Sequence, residues 1–282
     1  MKSKTLTVTL CLVIFLLSLG LTLYPAISNY YNERHQSEIY TAYVEVVEQA
    51  DDSELIEARQ QATAYNESII PGTADAYSQT ALTAASKGYD SLLNLAVDGI
   101  MGYIEIPSID VYLPICHGTG NDSLERGVGH LLGSSLPVGG TSTHSILTGH
   151  SGMASQKMFT DITQMQIGDV FYLHGLDDTL AYQVCELNTV LPHDTTFLGI
   201  EPGQDLCTLV TCTPVGVNTH RLLVRGSRIP YEEAEEIQEQ SVIEETPVST
   251  WEQQYLQGLF LGIGAVIVIT VLIFVAKRLL HG

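Results

Sequence analysis

From Gly102 onward the chain reads as short apolar runs separated by turn residues: YIEIP, VYLPI, HSILTGH, DVFYLHG, LAYQVCEL, DLCTLVTC and HRLLVRG. Runs of this length at this spacing predict the strands of a β-sandwich or barrel, not alternating β and α units. Within them, Ser155 to Gln166 predicts a short helix. Upstream the period changes. Ser37 to Ser68 is rich in Ala, Glu and Gln, with Ile39, Tyr43, Val44 and Val47 spaced for one face of an amphipathic helix, so one or two helices precede the strands. Between Ile69 and Lys87 the chain turns to Pro, Gly, Thr, Ser and Ala, punctuated by Pro71-Gly72, which predicts a long loop of the kind that covers or lines a site.

Two runs carry no charge at all. Thr5 to Tyr24 follows Lys2 and Lys4, and Leu256 to Ala276 precedes Lys277 and Arg278. Each is long enough to span hydrocarbon as a helix. The first exceeds an ordinary signal-peptide core and lacks a clear A-x-A site, so it reads as a retained anchor in preference to a cleaved leader. Basic residues flank the outer side of both runs. Positive charge stays cytoplasmic, which predicts a two-pass plasma-membrane protein with both termini inside and the intervening segment outside.

Charge narrows the partners. Neither anchor holds an acid, so the segment between them keeps all 32 acidic residues and 8 of the 12 Lys and Arg, a formal charge of 8 − 32 = −24. Such a field disfavours nucleic acid, whose binding depends on neutralising phosphates. Seven glutamates between Glu232 and Glu245 predict a solvated linker or exposed helix. Five cysteines, Cys11, Cys116, Cys185, Cys207 and Cys212, show no zinc-finger spacing, and their redox state stays open.

Cys212 stands out by position. Period two puts Cys207, Leu209 and Thr211 on one strand face and Thr208, Val210 and Cys212 on the other, so Cys207 and Cys212 should not pair. Pro214 and Gly216 end that strand, and a hairpin loop from Thr213 to Thr219 would return Arg221 to the side of Cys212. A thiol near its ordinary pKa of about 8.5 is only a few per cent thiolate at neutral pH, so a nucleophilic cysteine needs a cation or base beside it. Arginine can hold an oxyanion and histidine can move a proton. Read from residues alone, an isolated strand cysteine such as Cys212 is more often a small core residue, and Arg221 more often a surface ion-pair partner. Among the histidines, His150 lies at a strand-to-loop junction between Gly149 and Ser151-Gly152, with His144, His130, His117 and His220 as competitors. A metal site of His144, His150 and Cys212 is conceivable without supporting spacing.

Taken in order, GYIEIPSIDVYLPICHGTG, GVGHLLGSSLPVGGTSTHSILTGHSGM, MFTDI, LAYQV and DLCTLVTCTPVGVNTHRLLVRG, with the two membrane runs, resemble the class C, pilin-polymerising sortases of Gram-positive bacteria, from Gly99 to Ile229 and at both anchors. The resemblance implies a mainly β fold: an eight-stranded sortase β-barrel with N-terminal helices, a lid loop and two flanking transmembrane helices. It implies an N-terminal anchor over 1–24, helices over 25–68, lid and lead-in over 69–98, barrel over 99–230, acidic linker over 231–255, and the second transmembrane helix with a cytoplasmic tail over 256–282. Carried onto this chain, the family's TLxTC signature falls on Thr208 to Cys212, making Cys212 the implied nucleophile, with His150 the implied acid and base and Arg221 the implied oxyanion donor. No metal or organic cofactor is implied. The implied partners are pilin subunits with an LPXTG-like sorting signal, cleaved between Thr and Gly, and an acceptor lysine. The family's Asp-Pro-aromatic lid triplet is matched by Asp75-Ala76-Tyr77, where alanine replaces proline and loosens the loop. Rival readings are a sortase that anchors surface proteins to the cell wall and an inactive, membrane-tethered binding protein.

Overall fold

The computed structural model describes residues 2–69, 82–83, 85–96, 98–153, 155–244, 253 and 255–264. Asp75, Ala76 and Tyr77 lie outside these residues, as does most of the second apolar run. Among the described residues no helix is long and apolar enough to cross a membrane, so both spans stay expectations.

Helix α1, Lys2–Gln49, runs unbroken through Pro25. Its far end buries the face that the sequence pattern marks: Tyr43 is buried, and Ile39, Tyr40 and Val47 pack with it against Ile100, Tyr103 and Cys116. Helix α2, Asp52–Ser68, starts where the Asp51 backbone N–H donates to the Glu54 carboxylate at 3.4 Å, one half of a capping box. Buried Asn66 ties α2 to the barrel by accepting from the Leu136 N–H at 2.7 Å and donating to the Leu136 carbonyl at 3.2 Å.

Eight strands follow: β1 Ile100–Ile106, β2 Val111–His117, β3 Val128–His130, β4 Thr143–Thr148, β5 Val170–Gly175, β6 Asp178–Val190, β7 Asp205–Thr213 and β8 His220–Ile229. They close into a barrel in the order β1-β2-β3-β4-β7-β8-β6-β5. The β2–β3 and β4–β7 pairs are parallel, and their crossovers account for the long connections; helix α3, Asn121–Arg126, lies in the first. Alternation fills the interior with Ile104, Val128, Leu147, Phe171, Cys207, Leu209 and Val224. The seven apolar runs all become strands. The eighth, β3, has a single apolar side chain at its start and no period to read. Its Gly129 is required by close approach, since a Cβ there would lie 2.2 Å from the Gly118 carbonyl oxygen.

Ser155 to Gln166 corrects the sequence reading. Only Thr160–Gln164 is helical, as a 3-10 turn. Lys157 N–H donates to Asn29 Oδ1 at 3.0 Å and Phe159 N–H to the His150 carbonyl at 2.9 Å, so the donors that would build an α-helix are committed elsewhere. The glutamate-rich stretch forms helix α4, Tyr231–Glu244, whose Ala234 is buried against β5 and β6.

Candidate active site

The hairpin between β7 and β8 sets Cys212 directly opposite Arg221 in antiparallel register. The next strand out pairs Val190 of β6 with Arg221. On the other side, β4 runs parallel to β7 with Thr148 opposite Val210. That register continues past the end of β4, because the Gly149 N–H donates to the Val210 carbonyl at 3.0 Å. His150 lies two residues on from Thr148, as Cys212 lies two on from Val210. Strands β7 and β8 therefore set Cys212 beside Arg221, and the residues just past the end of β4 carry His150 to the same end of the barrel. All three side chains are half-buried.

The junction that carries His150 is clamped on both sides. Thr211 Oγ1 donates to the Gly149 carbonyl at 2.8 Å, and Ser151 Oγ donates to the Cys212 carbonyl at 2.7 Å. Farther along, Asn32 Nδ2 donates to the Ser155 carbonyl at 2.9 Å, so α1 holds the loop that follows His150. Sequence reasoning missed these supports. Short hydroxyl and amide side chains are common in loops, and only the fold shows what they reach.

Arg221 Nη1 donates to the carbonyls of His220 at 3.0 Å and Asn218 at 3.3 Å. These bonds orient the guanidinium, and among the described residues no carboxylate lies within ion-pair distance of it. Its positive charge sits one strand from the sulfur, and the planar fork retains further N–H donors for a ligand oxygen.

Below these residues the same outer face carries an apolar strip of Ile146, Val190, Val210 and Leu223, with Leu131, Phe197 and Leu198 packed on it. Phe197 and Leu198 belong to the β6–β7 connection. Arg225 pins that connection by donating to the Phe197 carbonyl and pairing with Glu201 at 2.8 Å and Glu186 at 2.9 Å.

The competing histidines have other partners. His130 is fully buried, with Nδ1 2.8 Å from the Tyr89 hydroxyl and Nε2 2.8 Å from the Ser135 carbonyl. His144 is also fully buried between the Gly199 carbonyl at 2.8 Å and the Thr208 hydroxyl at 2.7 Å. Burial lowers the pKa of each to about 4. His144 thus uses both ring nitrogens in structural bonds, which removes it as a co-ligand of His150 and Cys212. His117 lies between the carbonyls of Leu92 and Gly99, and His220 bonds to Thr219. Cys116, Cys185, Cys207 and Cys212 are free thiols. Burial pushes Cys116 up to about 11 and Cys207 well above the ordinary thiol range, so both are held as inert neutral thiols.

Residues 104–229 match the sortase domain family. The fold and sequence are similar to sortase C of Streptococcus pneumoniae, with a TM-score of 0.61 and 42% identity over 69% of this chain and 97% of that one. They are similar also to sortase C1 of Streptococcus agalactiae, with a TM-score of 0.63 and 41% identity over 68% of this chain and 98% of that one. A curated relative, sortase A of Streptococcus agalactiae serotype III (strain NEM316), is 27% identical over 56% of this chain; the match spans 62% of that protein's length. Identity above 40% across almost the whole of two solved relatives reflects common descent and not a shared fold alone: the chain belongs to the sortase family, and its structural neighbours are the sortase C proteins.

Proposed function

We propose that the protein is a cysteine transpeptidase that cleaves an LPXTG-like sorting signal on pilin subunits and joins the acyl group to a lysine of another pilin. The observation that carries this is the placement of Cys212 opposite Arg221, with His150 just past the end of the strand that runs parallel to β7. In the proposed reaction the Cys212 thiolate attacks the carbonyl between Thr and Gly, and Arg221 donates to the oxygen as it gains charge. His150 gives a proton to the departing glycine amine as the C–N bond breaks, leaving a thioester on Cys212. A lysine amine then attacks the thioester and passes its proton to His150. The C–S bond breaks, an isopeptide bond forms, and the thiolate is restored. Pilin as the substrate class draws on the pneumococcal sortase C, whose structure is described in terms of pilin substrate specificity.

Asp75, Ala76 and Tyr77 form the lid in this reading, with Asp75 pairing to Arg221 and Tyr77 covering Cys212 in the resting enzyme. Thr5 to Tyr24 and Leu256 to Ala276 anchor the chain in the plasma membrane with the barrel outside. A second reading is attachment of surface proteins to the cell wall, and product size separates the two: a lysine-bearing pilin yields high-mass ladders only under the first.

The test uses the purified full chain with a fluorogenic LPXTG-like peptide. Cys212→Ala should abolish cleavage. Arg221→Ala should lower kcat by about 10²–10³-fold with the melting temperature unchanged, as for loss of an oxyanion donor. Cleavage that survives Cys212→Ala would refute the assignment.

A further inference from the structure

The connection that follows β4 buries a charge. The Lys157 ammonium donates to the carbonyls of Ile109 at 2.7 Å and Asp110 at 3.1 Å and lies 3.7 Å from the Asp161 carboxylate, and the two charged side chains are only 9% and 4% exposed. A buried ion pair adds little stability over apolar packing of the same volume. It does restrict geometry, because a cation moved off its acceptors in the interior would be left bare.

Those acceptors lie at the Cys212 end of the barrel. Strand β2 runs parallel to β3, and β3 antiparallel to β4, so the corner between β1 and β2, where Ile109 and Asp110 sit, is at the same end as the last residue of β4. Strand β7 runs parallel to β4 and finishes at that end too, with Cys212 next to its last residue. Lys157 thus ties the chain beyond His150 to the corner between β1 and β2.

From Lys157 the chain returns at once to His150. Met158 is 2% exposed and has a φ of 44°, in the left-handed region that a residue with a side chain takes only where its surroundings impose it. The two residues after this turn hold the backbone on either side of His150. Phe159 N–H donates to the His150 carbonyl at 2.9 Å, and the Phe159 ring lies so close to Gly149 that a Cβ there would be 2.6 Å from it. Thr160 Oγ1 accepts from the Gly152 N–H at 2.9 Å. Residues 149, 150 and 152 are therefore set by residues 159 and 160, and the place of those two is fixed at either side by Lys157 and Asp161.

We propose that Lys157, through its buried pair with Asp161, is a positioning residue for His150, holding the backbone from which the imidazole reaches the reacting atoms. The proposal rests on the transpeptidase reading, in which His150 moves the proton.

The test compares the purified full chain with a Lys157→Met, Asp161→Asn double variant, which removes both charges together and leaves neither buried without its partner. Melting curves confirm the fold. The first readout needs no catalysis: the ring signal of His150 in an NMR spectrum of isotope-labelled histidines, identified by its loss in His150→Gln. It should shift or broaden in the double variant while the signals of His130 and His144 stay in place. The second readout is kinetic. For a fluorogenic LPXTG-like peptide, kcat should fall about tenfold with KM unchanged, the scale of a small misplacement of a reacting group. Asp161→Asn alone keeps the lysine on its two carbonyls, should move both readouts the same way by less, and serves where the double variant does not fold. A His150 signal that stays in place, or a kcat equal to that of the wild type, in every variant that folds overturns the proposal. If the wild-type chain fails to cleave the peptide while the His150 signal still moves, the transpeptidase reading falls and the placement of His150 by Lys157 stands.

Discussion

His130 and His144 show how a residue's surroundings choose its role. Both are fully buried, both have partners at each ring nitrogen, and burial holds each near pKa 4, well below the ordinary histidine value. Neutral imidazole is the form that fits these sites. In the unfolded chain the same groups take up a proton near pH 6.5. The folded pKa is depressed, so the unfolded state binds more protons between about pH 6.5 and 4. Stability is complete above pH ~6.5 and falls as pH drops towards 4, by up to about 1.4 kcal/mol per pH unit for each histidine. Denaturant midpoints of the detergent-purified chain should follow this decline. Replacing either histidine, by His130→Gln or His144→Gln, should flatten the slope whatever it does to stability at pH 7; an unaltered slope would show that the titrating groups lie elsewhere.

At the scale of elements, the connection after β4 matters as much as the strands. Its near end is clamped to β7 through Thr211 and Ser151, and its far end to α1 through Asn29 and Asn32. The helix that contains the first uncharged run thus supports the loop that follows His150. Removing both amides, by Asn29→Ala with Asn32→Ala, should lower kcat for an LPXTG-like peptide by about tenfold, the scale of a small misplacement of a reacting group, with KM little changed. Unchanged kcat would mean that the β7 clamps alone suffice. The proposed lid has its own readout, the rate at which Cys212 is alkylated in the full chain. Asp75→Ala and Tyr77→Ala should each raise that rate; identical rates would remove Asp75 and Tyr77 from the lid role.

For the whole molecule, the reading of the two uncharged runs predicts that a barrel facing outward is held at both ends. Single cysteines introduced after Lys2 and before Gly282 in a Cys11→Ser, Cys185→Ser, Cys212→Ser background should resist a membrane-impermeant thiol reagent on intact cells, while one on the exposed hairpin at Val217 should react. A reactive C-terminal cysteine would reverse the topology. How much of this molecule was legible beforehand follows from the range of the forces involved. Strand periodicity, the amphipathic face of α1 and the strand end at Cys212 were all readable, because each is set by residues within a few positions of one another. The return of Arg221 beside Cys212 was readable too, since a short hairpin fixes its own register. The barrel's eight strands and their closure came only from family resemblance, as β3 has no pattern of its own and exists through its parallel pairing with β2. His150 could not be ranked above four other histidines by residue chemistry. The tertiary structure set His130 and His144 apart by burying both among hydrogen-bond partners, and it brought the end of β4, next to His150, beside β7 across a parallel pairing of strands some sixty residues apart, a register that no local sequence signal encodes.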